Sequence, residues 1–157
     1  SLSQDIGVSV QEAKEYMEKY FAHYSGVRAY MDGVVEQARQ AGYVSTLWGR
    51  RRWIPEIKSS SFNTRSFGER VALNAPIQGT AADIIKLAMI RVRNRLKEEH
   101  FEGKLVLQVH DELIVECPEG EAEAVCRLVE EEMEGVAALA VPLLAETNAG
   151  KTWAEAH

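Results

Sequence analysis

The stretch Leu105-Val106-Leu107-Gln108-Val109-His110-Asp111-Glu112-Leu113-Ile114-Val115-Glu116 holds the residues of this 157-residue chain best suited to chemistry. Two apolar runs, Lys104 to Val109 and Leu113 to Cys117, flank His110-Asp111-Glu112, which predicts a β-hairpin with an ionisable tip. Two-residue hairpin turns need positive φ and favour Asn-Gly or Gly-Gly. No glycine is available here, and histidine and aspartate tolerate positive φ without being its usual occupants. A local rule broken between two strong strands hints that the side chains themselves are wanted there. Asp111 at such a tip can face a hard divalent cation, since Mg²⁺ is held by one or two carboxylates plus substrate phosphate oxygens. An exposed polar turn with no such duty fits the same letters.

A second constellation lies on a long helical pattern. Arg70, Asn74 and Gln78 recur at i, i+4 and i+8, which makes one polar stripe drifting by roughly 40° per step. Arginine can hold phosphate. Amide and guanidinium donors can also meet the acceptors common to all base pairs in the DNA minor groove, and so sense pair shape without reading sequence. Gly79 and Ala81-Ala82 leave room for a backbone or a duplex to come close. A solvated helix face is the plain alternative. The third constellation, Arg50-Arg51-Arg52 between Trp48 and Trp53, suits a single strand with phosphates on arginine and bases stacked on rings. Here the alternative is a basic turn with both tryptophans packed inward.

The elements that must position these groups can be read from capping and periodicity. Ser9 and Glu12 form a capping box, which starts a helix from about Val10 to His23 with Met17, Tyr20 and Phe21 on one face. Tyr24-Ser25-Gly26 reads as a break, followed by a helix from about Val27 to Ala41 that Gly42 stops. Tyr43 to Trp48 and Trp53-Ile54 form a short ribbon around the basic turn, and Lys58 to Asn63 a serine-rich loop. A helical pattern runs from about Ser66 to Glu98, and Pro76 is expected to bend or restart it, with Thr80 and Asp83 repeating the capping-box spacing. Glu119 to Val136 reads as an amphipathic helix with Val125, Leu128, Val129 and Met133 inward and Cys126 on the apolar stripe. Val141 to Thr147 is a candidate last strand, and Trp153 begins a short turn or helix.

Composition narrows the classes. With 46% hydrophobic and 27% charged residues, the chain reads as an ordinary globular domain that buries about 70% of its unfolded surface. No apolar run approaches the roughly 20 residues of a membrane span. Cys117 and Cys126, with His23, His100, His110 and His157, make no zinc spacing, and two thiols make no disulfide framework, so a reducing cytoplasm is the default compartment. The net charge of −6 argues against a nucleic-acid partner only if charge is evenly mixed, and it is not. Residues 1–40 hold 4 Lys+Arg and 6 Asp+Glu, residues 41–97 hold 11 and 3, and residues 98–157 hold 3 and 15. The regional charges are therefore −2, +8 and −12, which marks the middle as a candidate polyanion surface.

Five stretches, in this order and spacing, resemble the C-terminal part of the family A DNA polymerases. They are Gly49-Arg50-Arg51-Arg52-Trp53-Ile54-Pro55, Ser66-Phe67-Gly68-Glu69-Arg70, Asn74-Ala75-Pro76-Ile77-Gln78-Gly79-Thr80-Ala81-Ala82-Asp83, Leu107-Gln108-Val109-His110-Asp111-Glu112-Leu113 and Gly150-Lys151-Thr152-Trp153. The resemblance covers essentially the whole chain. It implies an α+β fold, mostly helical with a palm β-hairpin, part of the right-hand palm and fingers architecture. Residues 1–65 would belong to the fingers, and residues 66–157 would form the helix returning to the palm and the C-terminal palm portion. The implied activity is DNA-directed DNA polymerisation, a nucleotidyl transfer from dNTP to a primer 3′-hydroxyl serving DNA replication and repair.

The resemblance also implies roles. Asp111 maps onto one of two aspartates that hold both Mg²⁺ ions, with Glu112 beside that site and less critical. His110 maps to a contact at the primer terminus, and Arg70, Asn74 and Gln78 to template and minor-groove contacts at the nascent pair. Arg50, Arg51 and Arg52 map near the template strand. The implied partners are primer-template DNA, dNTP and the rest of the palm, fingers and thumb of a cytoplasmic, monomeric parent enzyme with no membrane attachment. The family's other metal-holding aspartate and its nucleotide-gripping fingers helix belong to earlier motifs that these residues lack, and Ser1-Leu2-Ser3-Gln4 resembles the stretch just after that helix. The expectation is a piece of a larger enzyme, inactive alone, with apolar surface open where the remainder packs. A non-catalytic DNA-binding module built on the +8 segment, and a small domain with no nucleic-acid role, are the competing readings.

Overall fold

The computed structural model describes residues 2–156, so Ser1 of the Ser1–Gln4 match and His157 of the histidine set lie outside the described residues. Packing divides the chain into two compact units, 1–79 and 80–157. This is a division by packing, and it is a separate matter from the subdomain division expected at 65/66. The fold is α+β and mostly helical, with two two-stranded antiparallel sheets among the described residues.

In the first unit, a short helix α1 (Leu2–Asp5) precedes α2 (Val10–His23). The capping box forms: Ser9 Oγ accepts from the Glu12 backbone N–H at 3.2 Å, and the Glu12 carboxylate accepts from the Ser9 backbone at 3.0 Å. The Ser9 side chain, then its backbone, hold the Glu12 carboxyl below its usual value. The break expected over three residues is only Tyr24, because α3 (Ser25–Ala41) begins at once and takes Ser25 and Gly26 into its first turn. Gly42 ends α3 in the left-handed region at φ 81°, which a side chain would resist. β1 (Tyr43–Ser45) and β2 (Arg51–Trp53) pair as Tyr43↔Trp53, Val44↔Arg52 and Ser45↔Arg51. A 3₁₀ turn, Pro55–Lys58, then leads to α4 (Phe62–Glu98). This leaves the serine loop shorter than expected.

Pro76 does not restart the helix: α4 is continuous from Phe62 to Glu98, and Thr80 and Asp83 lie inside it. Pro76 cannot donate to the Ala72 carbonyl, a defect costing about 3 kcal/mol in a helix interior. Burial offsets it. Ala72 is fully buried in a core of Val34, Ala38, Val44, Ile54 and Ile57 with Val71 and Ala75 packed on its edge, and Pro76, one turn on, is itself buried. Each fully buried aliphatic side chain contributes about 1.5–3 kcal/mol, so this core outweighs one missing hydrogen bond. The face of α2 carrying Met17 and Tyr20 lies open, each about half exposed, and only Ala13 of α2 is buried.

In the second unit, the C-terminal part of α4 packs Val92 and Leu96 against Val125, Leu128 and Val129 of α5 (Ala122–Glu134). Arg95 of α4 bridges to Glu131 at 2.6 Å and Glu132 at 3.3 Å, and hydrogen bonds to Glu99 and Glu131 raise its already high pKa. The hairpin of β3 (Lys104–Val109) and β4 (Glu112–Glu116) lays Leu113 and Val115 on this core, with Met133 and Phe101. Cys117 also packs here, while Cys126, expected on the apolar stripe, is half-buried and lies outside the core cluster. The strand expected at Val141 to Thr147 does not form. Its polar groups turn to α5 instead: Ala145 donates to Glu134 at 3.0 Å and Thr147 to Glu130 at 3.3 Å. Pro142 in addition removes a ladder donor. A last turn of helix, α6, spans Trp153–Ala156. No helix among the described residues is long and apolar enough to cross a membrane.

Candidate functional site

The β3–β4 hairpin closes through a two-residue turn, His110-Asp111, between the paired residues Val109 and Glu112. His110 takes the strained place, with φ 53°, and Asp111 does not. Positive φ at the first central position is what a tight hairpin asks for, and here a histidine meets it without glycine's freedom. Gln108 Nε2 donates to the His110 carbonyl at 2.5 Å and braces the turn from inside. A bulge at Val106, between the pairs Leu105↔Val115 and Leu107↔Ile114, adds local twist to β3. The result is an exposed Asp111 on a tip held by its register, with Glu112 half-buried one residue on.

Two adjacent carboxyl groups offer hard oxygen donors of the kind Mg²⁺ takes in ones and twos beside substrate phosphates. Among the described residues, no group of three or more His, Cys, Asp or Glu side chains could hold a metal ion. Asp111 and Glu112 alone would supply at most part of the oxygen set of a Mg²⁺ site.

In the first unit, Arg70, Asn74 and Gln78 are all exposed on α4. Two apolar residues share their arc, Phe67 at 50% and Ile77 at 64% exposure. At about 100° per residue the five fall within an arc of roughly 100°. Phe67 and Ile77 were missed by sequence reasoning, although apolar letters on a polar arc are a signal that helical phase displays. The opposite face is made of small residues. An added methyl at Gly68 would meet the Ile57 backbone nitrogen at 2.8 Å, and one at Gly79 would meet the Thr46 methyl at 2.6 Å. Gly79 is therefore filled by the chain's own ribbon turn, and the room expected there for a duplex is already taken.

The basic run is divided among different tasks. Arg50 Nη2 donates to the Gly79 carbonyl at 2.9 Å. The Arg51 guanidinium lies 4.7 Å from the Tyr43 ring centre, a contact worth about 0.5–1 kcal/mol at an exposed site. Arg52 pairs across from buried Val44 and is exposed. Trp48 and Trp53 are not packed inward, with 44% and 61% exposure, and Trp53 leans on Tyr43 with ring centres 5.0 Å apart. The ribbon thus presents cations and open aromatic surface together.

The fold matches a structure described as the POL domain of Pol1 from M. smegmatis in complex with DNA primer-template and dNTP, with a TM-score of 0.94 and 48% identity over 99% of this chain and 27% of that one. The sequence profile of DNA polymerase family A matches residues 1–155, and the chain belongs to that family. Among individual proteins it is similar to the DNA polymerase I of Bacillus caldotenax, 53% identical over 99% of this chain, and to that of Bacillus subtilis, 50% identical over the same share. The chain spans 18% of the length of each of these relatives.

Proposed function

We propose that these residues form a C-terminal fingers and palm portion of a DNA-directed DNA polymerase, with residues 1–65 in the fingers and residues 66–157 forming the helix returning to the palm and a C-terminal palm portion. The observation that carries this reading is the tight His110-Asp111 turn, which fixes an exposed carboxylate at a hairpin tip in a family A chain. In this reading Asp111 is one of two aspartates that hold two Mg²⁺ ions, and Glu112 lies beside them as a supplementary carboxylate. When bound, the ions supply the charge stabilisation that phosphoryl transfer from dNTP to the primer 3′-hydroxyl requires. His110 touches the primer terminus. Arg70, Asn74 and Gln78 lie along the minor groove of the nascent pair, with Phe67 and Ile77 offering apolar surface to the sugars. Arg51 and Arg52, and Arg50 less directly, face the template strand.

The parent acts as a monomer in the cytoplasm on primer-template DNA and dNTP, in replication and repair. The test is primer extension by the full-length polymerase that contains this chain, with Mg²⁺ present or chelated. Metal-dependent extension supports the reading. Duplex binding that weakens steeply with salt, ignores metal and gives no extension would favour the non-catalytic DNA-binding module suggested by the +8 segment.

A further inference from the structure

Two glycines on α4 are points of contact with the ribbon and the turn that follows it. Gly68 lies against the Ile57 backbone and Gly79 against Thr46. They are eleven residues apart, which returns them to about the same side of the helix, and Ala72 and Ala75 between them face the same core. The centre of the Arg70–Asn74–Gln78 stripe lies about 130° round, with Gln78 about 100° from Gly79. The Gly79 contact is the more elaborate one. The turn that makes it is tied internally: Thr46 N–H donates to the Arg50 carbonyl at 3.0 Å, Gly49 N–H to the Thr46 carbonyl at 2.9 Å, and Arg50 N–H to Thr46 Oγ1 at 3.2 Å. Thr46 is the one buried polar side chain of the described residues. From this turn two side chains reach the helix at one residue, the Thr46 methyl in the space a Gly79 side chain would take and the Arg50 guanidinium on the Gly79 carbonyl at 2.9 Å.

The place is not arbitrary. Gly79 directly follows Gln78, and both lie within one turn of Pro76, where the hydrogen-bond ladder of α4 lacks the bond to Ala72. A helix is most free to change its local rotation where a ladder bond is missing, and an outside contact there fixes what the ladder does not. We infer that Thr46 and Arg50 are positioning residues that clasp α4 at Gly79 and so set the orientation of Gln78 toward the base pair. This rests on the groove-sensing role proposed for Gln78. It gives Arg50 a different task from Arg51 and Arg52: its charge is spent on a carbonyl of the chain itself.

The experiment is a double-mutant cycle in the full-length polymerase. Correct and mismatched single-nucleotide incorporation are measured for Arg50→Ala, Gln78→Ala and the double variant, together with Gly79→Ala. The last opens the same contact from the helix side without removing a charge and with better helix propensity. Loss of a hydrogen bond that discriminates the correct pair lowers selectivity by up to about tenfold. Gln78→Ala is expected to show such a loss, Arg50→Ala and Gly79→Ala a smaller one of the same kind, and the double variant no more than Gln78→Ala alone. The salt dependence of duplex binding should be unchanged in Arg50→Ala. A slope reduced by about 0.9 would instead mark Arg50 as a phosphate contact and overturn the inference. So would losses that multiply in the double variant, or Arg50→Ala and Gly79→Ala enzymes that lose thermal stability at unaltered selectivity. Unaltered selectivity in Gln78→Ala would remove the groove-sensing role itself, and the inference with it. That result is distinguishable because it appears in the single Gln78 variant.

Discussion

Asp111→Asn in the full-length polymerase tests the proposed metal role at the least structural cost. Asp111 is exposed and does not occupy the positive-φ position of the turn, which belongs to His110. Asparagine is nearly isosteric and a good turn residue, so folding stability should change by no more than about 0.5 kcal/mol. The substitution removes one negative charge from a surface proposed to face a polyanion, so duplex affinity should hold or rise slightly. Chemistry is another matter. Loss of a metal-holding carboxylate removes several kcal/mol of transition-state stabilisation, and each 1.36 kcal/mol is a factor of ten. Incorporation should fall below about 1% of the parent rate, which corresponds to more than about 2.7 kcal/mol. The assay is single-turnover addition of one correct dNTP to a matched primer with enzyme in excess, alongside fluorescence anisotropy of the duplex without metal. Asp111→Glu retains the charge but shifts the carboxylate by about one bond length, and a misplacement of that order costs roughly 10²-fold. Turnover above about 1% in Asp111→Asn, with duplex binding and melting temperature unchanged, would refute metal ligation by this residue.

Three further outcomes follow from the geometry. Gly68→Ala should destabilise by about 1–3 kcal/mol although alanine is the better helix former, because its methyl meets Ile57 backbone at 2.8 Å that cannot rotate aside; an unchanged melting temperature would contradict the close approach. Burial pushes the Cys117 thiol up, with smaller contributions from Glu121 and Cys126, so the folded protein favours the protonated form. Its iodoacetamide reaction at pH 8 should be slower than in the urea-unfolded chain. The associated stability is present below the ordinary thiol value of 9.0 and is lost as pH rises through the elevated one; equal rates folded and unfolded would contradict it. A polypeptide of these 157 residues alone should not extend a primer, since one carboxylate hairpin cannot organise two ions, and any extension free of contaminating polymerase would contradict that.

Element boundaries were legible where the signal is local. The Ser9–Glu12 box, Gly42 and the apolar runs around His110 each act within a few residues, and the structure places α2, the end of α3 and β3 where those letters point. The misreadings are those in which distant packing decides. Pro76 reads as a helix breaker until the buried surface around Ala72 is counted, and that surface is supplied by α3, the ribbon and the turn after it. Val141 to Thr147 has strand letters, but a strand needs a neighbour, and this stretch finds carboxylates of α5 instead. The exposed stripe and the carboxylate tip could be seen as geometry in the sequence, and side-chain chemistry offered a metal and a minor groove as their targets, but only resemblance to a family chose those roles over a plain solvated face and turn. Gly79 is the instructive case. Its smallness was plain, but which atoms use the space depends on Thr46 and Arg50, some thirty residues earlier.

The two-residue turn makes the hairpin a ruler. Asp111 is one step beyond Val109↔Glu112, and its position is counted off from the pairs Leu113 and Val115 make as they lie on the core. Adding or deleting one residue between Leu107 and Ile114 would shift the tip by about 3.3 Å and turn alternate side chains to the opposite face. The bulge at Val106 already uses the one irregularity in that count. Side-chain exchanges near the tip are therefore graded in effect, whereas changes of length are all-or-none. In a library of single-residue insertions and deletions through this protein, residues 107–114 should be the stretch from which no active member is recovered.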